Sequence, residues 1–159
     1  MFDVFVSENQ LVIVGGGNYG IQSSVEALNE TQHLSCSIRS YPFAVFDHAS
    51  TVTSSGILVC GGMGKGVNTC YEYKSTSNTW ARMPSMTTAR RGFGMIYQKQ
   101  KVWVVGGAGG PGSYTSMEIY DPNTNKWTQQ SIPFSINQHC MTKLSSNQFI
   151  LTGGRSNGV

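Results

Sequence analysis

The chain has 159 residues, 39% of them hydrophobic and 11% aromatic, which excludes a disordered segment and allows a packed core. Charged residues are only 12% and the net charge is +3, so there is no electrostatic footprint for nucleic acid or a membrane surface. No apolar run approaches the roughly 18 residues of a membrane-spanning helix, and 19 glycines among many Ser, Thr, Asn and Gln residues suit a turn-rich β-protein better than a helical bundle. Cysteines stand at 36, 60, 70 and 140 without a C-x-x-C pair, which removes zinc-ribbon and thioredoxin-type readings. Residues Met1 to Gln10 lack the basic and long apolar regions of a secretory signal.

In chain order, four short apolar runs each end in a glycine pair. Leu11–Val14 leads to Gly15-Gly16 and Ile57–Cys60 to Gly61-Gly62. Val102–Val105 leads to Gly106-Gly107 and Phe149–Thr152 to Gly153-Gly154. The first glycines stand at 15, 61, 106 and 153, spacings of 46, 45 and 47, too regular for chance. After the second pair come Tyr71-Glu72-Tyr73 and Trp80; after the third come Met117-Glu118-Ile119-Tyr120 and Trp127. Tyr73 to Trp80 and Tyr120 to Trp127 are both seven positions, bridged by turn residues. A further apolar stretch precedes each later pair: Ala44–Phe46 with Thr51-Val52, then Phe93–Tyr97, then Cys140–Leu144. Each unit therefore reads as four short antiparallel strands. One such sheet has two apolar faces and must stack on neighbours; radial stacking predicts a β-propeller. Glycine pairs supply backbone dihedrals or close approach at the end of the second strand, and the Tyr and Trp rings fill the wedge between blades.

From about Val4 to Gly154 this pattern resembles the kelch repeat family: apolar run, Gly-Gly, variable loop, Glu-x-Tyr or similar, then Trp. The middle two units match closely, including Tyr120-Asp121-Pro122 and the Met86-x-x-x-Arg90 lead-in. The first unit departs, with Val25-Glu26-Ala27-Leu28 where a Tyr would stand and no Trp near 35, so its third and fourth strands are the weakest expectation. The resemblance implies an all-β fold of kelch-type blades, divided into blade I (1–40), blade II (41–86), blade III (87–134) and the first half of blade IV (135–159). Propellers close with roughly four to eight blades. The expectation is therefore an incomplete ring, finished by further blades of the same protein or by a second chain.

Several residues invite a chemical role. Cys60 ends a second strand and Cys70 opens the antiparallel third, so their Cβ atoms can face each other and form a disulfide. Their counterparts, Val14 with Val25 and Val105 with Met117, are plain core pairs, and free cysteine also packs as a small hydrophobe. Cys36 and Cys140 have no evident mutual geometry. Asn29-Glu30-Thr31 is a glycosylation sequon in a turn, a triplet that also arises by chance. His48 and His139 fall at similar points of first strands, where they are expected as polar channel-lining residues rather than metal ligands, because no Cys/Glu cluster accompanies them. Gly15–Gly20 faintly resembles a dinucleotide loop, but a strand rather than a helix should follow. Arg90-Arg91 marks a blade junction, structural or rim-contacting rather than catalytic.

The loops after the glycine pairs and the blade-to-blade connections share one face of a propeller. That face is expected to carry Asn18, Tyr19, Lys65, Asn68, Arg91, Tyr114, Gln138 and Arg155, a mix of aromatic, amide and cationic groups suited to protein contacts. The kelch resemblance implies a non-catalytic protein-interaction module of a larger protein, with no cofactor. The cysteine pair and the sequon point to an extracellular or cell-surface setting. Kelch relatives also include intracellular substrate receptors of ubiquitin ligases and actin-binding proteins. Galactose oxidase-like copper enzymes and some sugar-modifying enzymes, epimerases among them, also resemble kelch propellers; the former need a Tyr–Cys thioether and two histidines at copper, and Tyr71 lies near both cysteines, yet no histidine pair converges by spacing.

Overall fold

The computed structural model describes residues 3–7, 10–16, 20, 22–29, 32–35, 38–65, 67–109 and 112–156. Among them the chain is all β, without a helix. The first sheet runs in chain order: β1 (Asp3–Ser7), β2 (Gln10–Gly16), β3 (Gln22–Asn29) and β4 (Gln32–Ser35). Next come β5 (Val45–Phe46), β6 (Ala49–Val52), β7 (Ile57–Cys60), β8 (Met63–Gly64), β9 (Cys70–Lys74) and β10 (Thr79–Met83). Of these, β6, β7, β9 and β10 form the second four-stranded sheet, while β5 pairs only with β8. The third sheet is β11 (Gly94–Gln98), β12 (Lys101–Val105), β13 (Ser116–Asp121) and β14 (Lys126–Ser131); β15 (Asn137–Lys143) and β16 (Phe149–Arg155) form a two-stranded fourth. All pairings are antiparallel, and apart from β7 with β9 and β5 with β8 they join strands consecutive in the chain. The first strands β1, β6, β11 and β15 lie side by side in that order, the arrangement of blades around an axis, and the ring does not close.

The four residues of β7 are all buried because the second sheet is covered on both faces. Leu58 and Cys60 face a core shared with Met86 of the lead-in and with Phe93, Met95, Val102, Val104 and Tyr120 of the third unit. Ile57 and Val59 face the opposite core, with Val14, Val25, Tyr41, Val45 and Tyr73. Each such side chain contributes about 1.5–3 kcal/mol on full burial, so these two seams, rather than any one sheet, hold the fold. Around the two-stranded fourth sheet apolar side chains are exposed: Leu144 in its turn by 59%, Phe134 before β15 by 46% and Ile150 of β16 by 36%.

The glycine pairs have a specific geometric cause. All eight glycines have positive φ, from 58° to 104°. In the first three pairs the first glycine makes room for a carbonyl of the next blade's lead-in. A Cβ on Gly15 would lie 2.7 Å from Val45 O, and one on Gly61 2.6 Å from Arg90 O; at Gly106 it would strike Ile136 O. The amide of the second glycine then donates to that same carbonyl, Gly62 N to Arg90 O and Gly107 N to Ile136 O, both at 2.8 Å. The second glycine also receives a ring: its Cβ would stand 3.0 Å from His48 Cβ at Gly62 and 2.8 Å from Phe93 Cβ at Gly107. One pair therefore makes one backbone hydrogen bond between blades, and any side chain would block it.

The tyrosine–tryptophan spacing closes the other end of a blade. Tyr73 and Trp80 are register partners, as are Tyr120 and Trp127. Each tyrosine hydroxyl donates into the turn between them, to Asn78 Oδ1 at 3.0 Å and to Asn125 Oδ1 at 2.7 Å. Both asparagines take left-handed φ, 49° and 56°, which asparagine tolerates better than most residues. Each indole N–H then donates to the segment entering the blade, Trp80 to Arg39 O at 2.8 Å and Trp127 to Pro84 O at 2.9 Å.

Two expectations are adjusted. Ala44–Phe46 is not part of a first strand, because Val45 and Phe46 pair separately with Met63 and Gly64. The first blade does form β3 and β4 without the Tyr and Trp; Leu28 stands in the register place of the tyrosine, opposite Leu11.

Candidate functional site

The loops after the glycine pairs are fastened to the lead-ins by main-chain bonds. Met86 N donates to Asn68 O and Arg90 N to Val67 O, at 2.9 and 3.1 Å. Arg91 and Ala108 exchange two bonds of 2.9 Å, and Ile132 N reaches Thr115 O at 2.9 Å. Positions 47 and 92, just before β6 and β11, and 138, the second residue of β15, all take left-handed φ and are chained: Gly92 N donates to Asp47 O and Gln138 N to Gly92 O. This rigid rim carries the side chains of the face.

Of the expected face residues, Lys65, Gln138 and Arg155 are exposed and Arg91 is half-buried. Asn68 and Tyr114 are turned to structural work. Asn68 Nδ2 donates to Met86 O at 3.1 Å, and the Tyr114 hydroxyl to Ala89 O at 3.1 Å. Asn18 and Tyr19 lie outside the described residues. Asn29 closes β3, while Glu30 and Thr31 of its sequon also lie outside them.

The sequence reading missed the centre of the third unit. Arg90 is 1% exposed and Glu118 fully buried. Arg90 Nε donates to Glu118 Oε1 at 2.9 Å, Nη1 to Gly106 O and Ser116 O, and Nη2 to Ser116 Oγ. Glu118 also accepts from Thr87 N, Thr87 Oγ1 and Thr88 N. The guanidinium lies 5.0 Å from the Tyr114 ring centroid. Every charged atom is thus satisfied, the condition for tolerating a buried pair. The available signal was an arginine and a glutamate at blade positions where the second unit carries Val45 and Tyr71.

Cys60 and Cys70 face each other across β7 and β9, Cα atoms 4.2 Å apart, and are disulfide-bonded with neither exposed. Val14 with Val25 and Val105 with Met117 occupy the same register pair in the flanking blades. Cys140 is a free, exposed thiol.

His48 and His139 correct the channel-lining expectation. Both are only 7% exposed and lie in the seams. His139 packs on Gly94 and Gly154, in the place Phe93 takes one blade earlier. Neither ring nitrogen of either histidine has a well-formed hydrogen bond among the described residues. Burial lowers the His139 pKa and takes that of His48 down to about 4, the Val14 backbone only weakly opposing. Among the described residues no three His, Cys, Asp or Glu side chains gather as for a metal ion.

At the opposite end of the seam between the second and third sheets lies a cleft of about 400 Å³, lined by Leu58, Glu72, Tyr97, Val102, Tyr120 and Pro122 among others. Its carboxylate is committed: Glu72 accepts from Thr53, Ser55 and Lys74. Burial alone would raise its pKa, but those three partners prevail and hold it below the ordinary carboxylate value.

Stacked four-stranded sheets with paired glycines receiving the next blade's carbonyl define a β-propeller segment. The Kelch motif model matches residues 45–87 and 89–132, more than half of the chain, and the chain belongs to the kelch repeat family. It is 29% identical to beta-scruin of Limulus polyphemus over 94% of its length and 18% of that protein's. It is 28% identical to Kelch-like protein 41b of Danio rerio over 80% of the chain and 22% of the relative. To the F-box/kelch-repeat protein At1g67480 of Arabidopsis thaliana it is 34% identical over 55% of the chain and 23% of the relative. The chain thus spans less than a quarter of the length of each of these relatives.

Proposed function

We propose that the chain is a non-catalytic protein-recognition module whose working surface is the glycine-loop face. The observation that carries this is the division of labour on that face. Main-chain bonds and the side chains of Asn68 and Tyr114 fasten the loops, while Lys65, Arg91, Gln138 and Arg155 remain available above a rigid base. The loops between glycine pair and third strand differ in length between the second and third blades, which suits variable recognition on a fixed scaffold. The exposed Leu144, Ile150 and Phe134 around the two-stranded fourth sheet, and the greater length of the relatives, support further blades from the same protein or a second chain. Cross-linking mass spectrometry of the complex from the native source tests the reading. Cross-links should gather on residues 63–69, 84–92, 108–115 and 132–138. A footprint confined to the outer strands β10 and β14, or to the hairpin turns at the other end, would overturn it.

Two compartments fit. The Cys60–Cys70 disulfide supports an extracellular or cell-surface setting. The Kelch-like and F-box/kelch relatives support the intracellular substrate-receptor reading. Non-reducing peptide mapping of the native protein separates them: a Cys60–Cys70 cross-linked peptide speaks for the first, free thiols for the second. A mass shift at Asn29 removed by glycosidase would support the first independently.

A further inference from the structure

The seams on either side of the third blade are built alike and filled differently. Counted back from the glycine pairs, Leu58 of β7 corresponds to Trp103 of β12, and Val102 of β12 to Phe149 of β16. Trp103 and Phe149 meet in the seam between the third and fourth sheets, ring centroids 6.2 Å apart. The Trp103 indole N–H donates to Gln98 O at 3.2 Å. In the seam between the second and third sheets the same two places hold Leu58 and Val102, and both line the cleft of about 400 Å³. By register, the carbonyl that matches Gln98 O is that of Thr53, another lining residue. One seam encloses two rings of its own, and the other keeps a space where those rings would lie.

The walls of that space specify what fits it. Its volume lies in the range of about 300–1,000 Å³ typical of small-molecule sites, and an apolar cavity of about 150 Å³ already admits benzene. Leu58, Val102 and Tyr120 make a buried, largely apolar floor. Ser54, Ser55, Gln100 and Asn123 are exposed around it, and the Ser54 and Tyr97 hydroxyls meet at 3.2 Å from one blade to the other. The charges are already compensated. Glu72 is held ionised by Thr53, Ser55 and Lys74 and pairs with that lysine, while Asp121, next to the lining Pro122, pairs with Lys101. An ionic ligand would lose hydration there without gaining a free counter-charge, whereas a neutral ring loses little.

We infer that this cleft is a binding slot for a small, uncharged, planar aromatic molecule of about indole size, its ring between Leu58 and Val102 and its N–H directed at the Thr53 carbonyl. The slot lies at the opposite end of the seam from the glycine-loop face, and neither assignment depends on the other. The test titrates the full chain with indole and follows methyl resonances by NMR. Those of Leu58 and Val102 should shift and saturate together, while those of the exposed Leu144 stay in place. 1-Methylindole, which lacks the N–H, should bind about fivefold more weakly, the effect of one neutral hydrogen bond. Leu58→Trp and Val102→Phe each copy the filled seam, and should abolish indole binding without lowering the melting temperature. Tyr97→Phe leaves the floor intact and should retain it. If either filling variant fails to fold, the wild-type shifts and the other variant decide. Indole shifting Leu144 as much as Leu58, no saturable shift at all, or undiminished binding to a folded Leu58→Trp or Val102→Phe protein would overturn the inference. So would tighter binding of indole-3-acetate or tryptamine than of indole, which would mean a charged ligand. A tryptophan-containing peptide that binds the cleft where free indole does not would overturn it in favour of a partner protein.

Discussion

The second and third blades perform the same construction with opposite chemistry. In both, a lead-in segment crosses the end of the blade and must be fixed to the third strand. Blade II does this with aromatic packing. Tyr41 meets Tyr71 and Trp80 edge-on, at centroid distances of 5.8 and 5.0 Å, and Phe43 meets Tyr71 at 5.7 Å, with Val45 buried between the sheets. Blade III places Arg90 where blade II has Val45, and Glu118 where it has Tyr71. The difference teaches that the backbone scaffold is indifferent to what fills the joint, provided each filling is internally complete: rings against rings, or a charge pair with every donor and acceptor used.

The largest expected effect tests that completeness. Arg90→Val alone should destabilise the protein by about 3–5 kcal/mol, because it strands Glu118 in the core. Adding Glu118→Tyr, which copies blade II into blade III, should recover much of the loss in urea unfolding. If the double variant is no better than the single one, the two joints are not interchangeable.

A second contrast lies at the ring on the second glycine, His48 in blade II and Phe93 in blade III. The folded His48 imidazole has its pKa lowered to about 4, so between that value and the ordinary 6.5 the unfolded chain binds the additional proton. Its contribution is present above about pH 6.5 and is lost as pH falls toward 4, up to about 3 kcal/mol. His48→Phe should flatten that part of the stability–pH curve. An unchanged acid limb would mean that other groups govern it.

The disulfide separates the blades more mildly. Cys60→Val with Cys70→Val copies the Val14–Val25 pair of blade I and should lower stability by about 2–3 kcal/mol, leaving fold and circular dichroism unchanged. Reductant should then have no further effect on the melting curve of that variant. The smallest effect is expected at the shared indole bonds. Trp80→Phe and Trp127→Phe each remove one hydrogen bond to a lead-in carbonyl and should cost about 1 kcal/mol apiece, equally in both blades.

Much of the architecture was legible in the residues. The glycine pairs, the apolar runs before them and the Tyr-to-Trp spacing identify blades, because each reports a backbone requirement: positive φ, a buried strand, a turn closed by asparagine. Even the register pairs Val14–Val25, Cys60–Cys70 and Val105–Met117 follow from aligning the units. The Arg90–Glu118 joint was hidden, since its members are 28 positions apart in the chain and the sister unit carries neither residue. Side-chain direction was hidden as well. Asn68 and Tyr114 read as surface groups and bend back to fasten loops; His48 and His139 read as channel residues and are buried in seams.

Sequence by itself determined that this chain builds kelch blades, four strands at a time, because main-chain geometry repeats with the period of the residues that permit it. Only the tertiary structure decided which polar groups are spent on holding blades together and which are left to meet a partner. That division depends on neighbours supplied by the next blade, and a hydrogen bond between blades leaves no mark on local spacing.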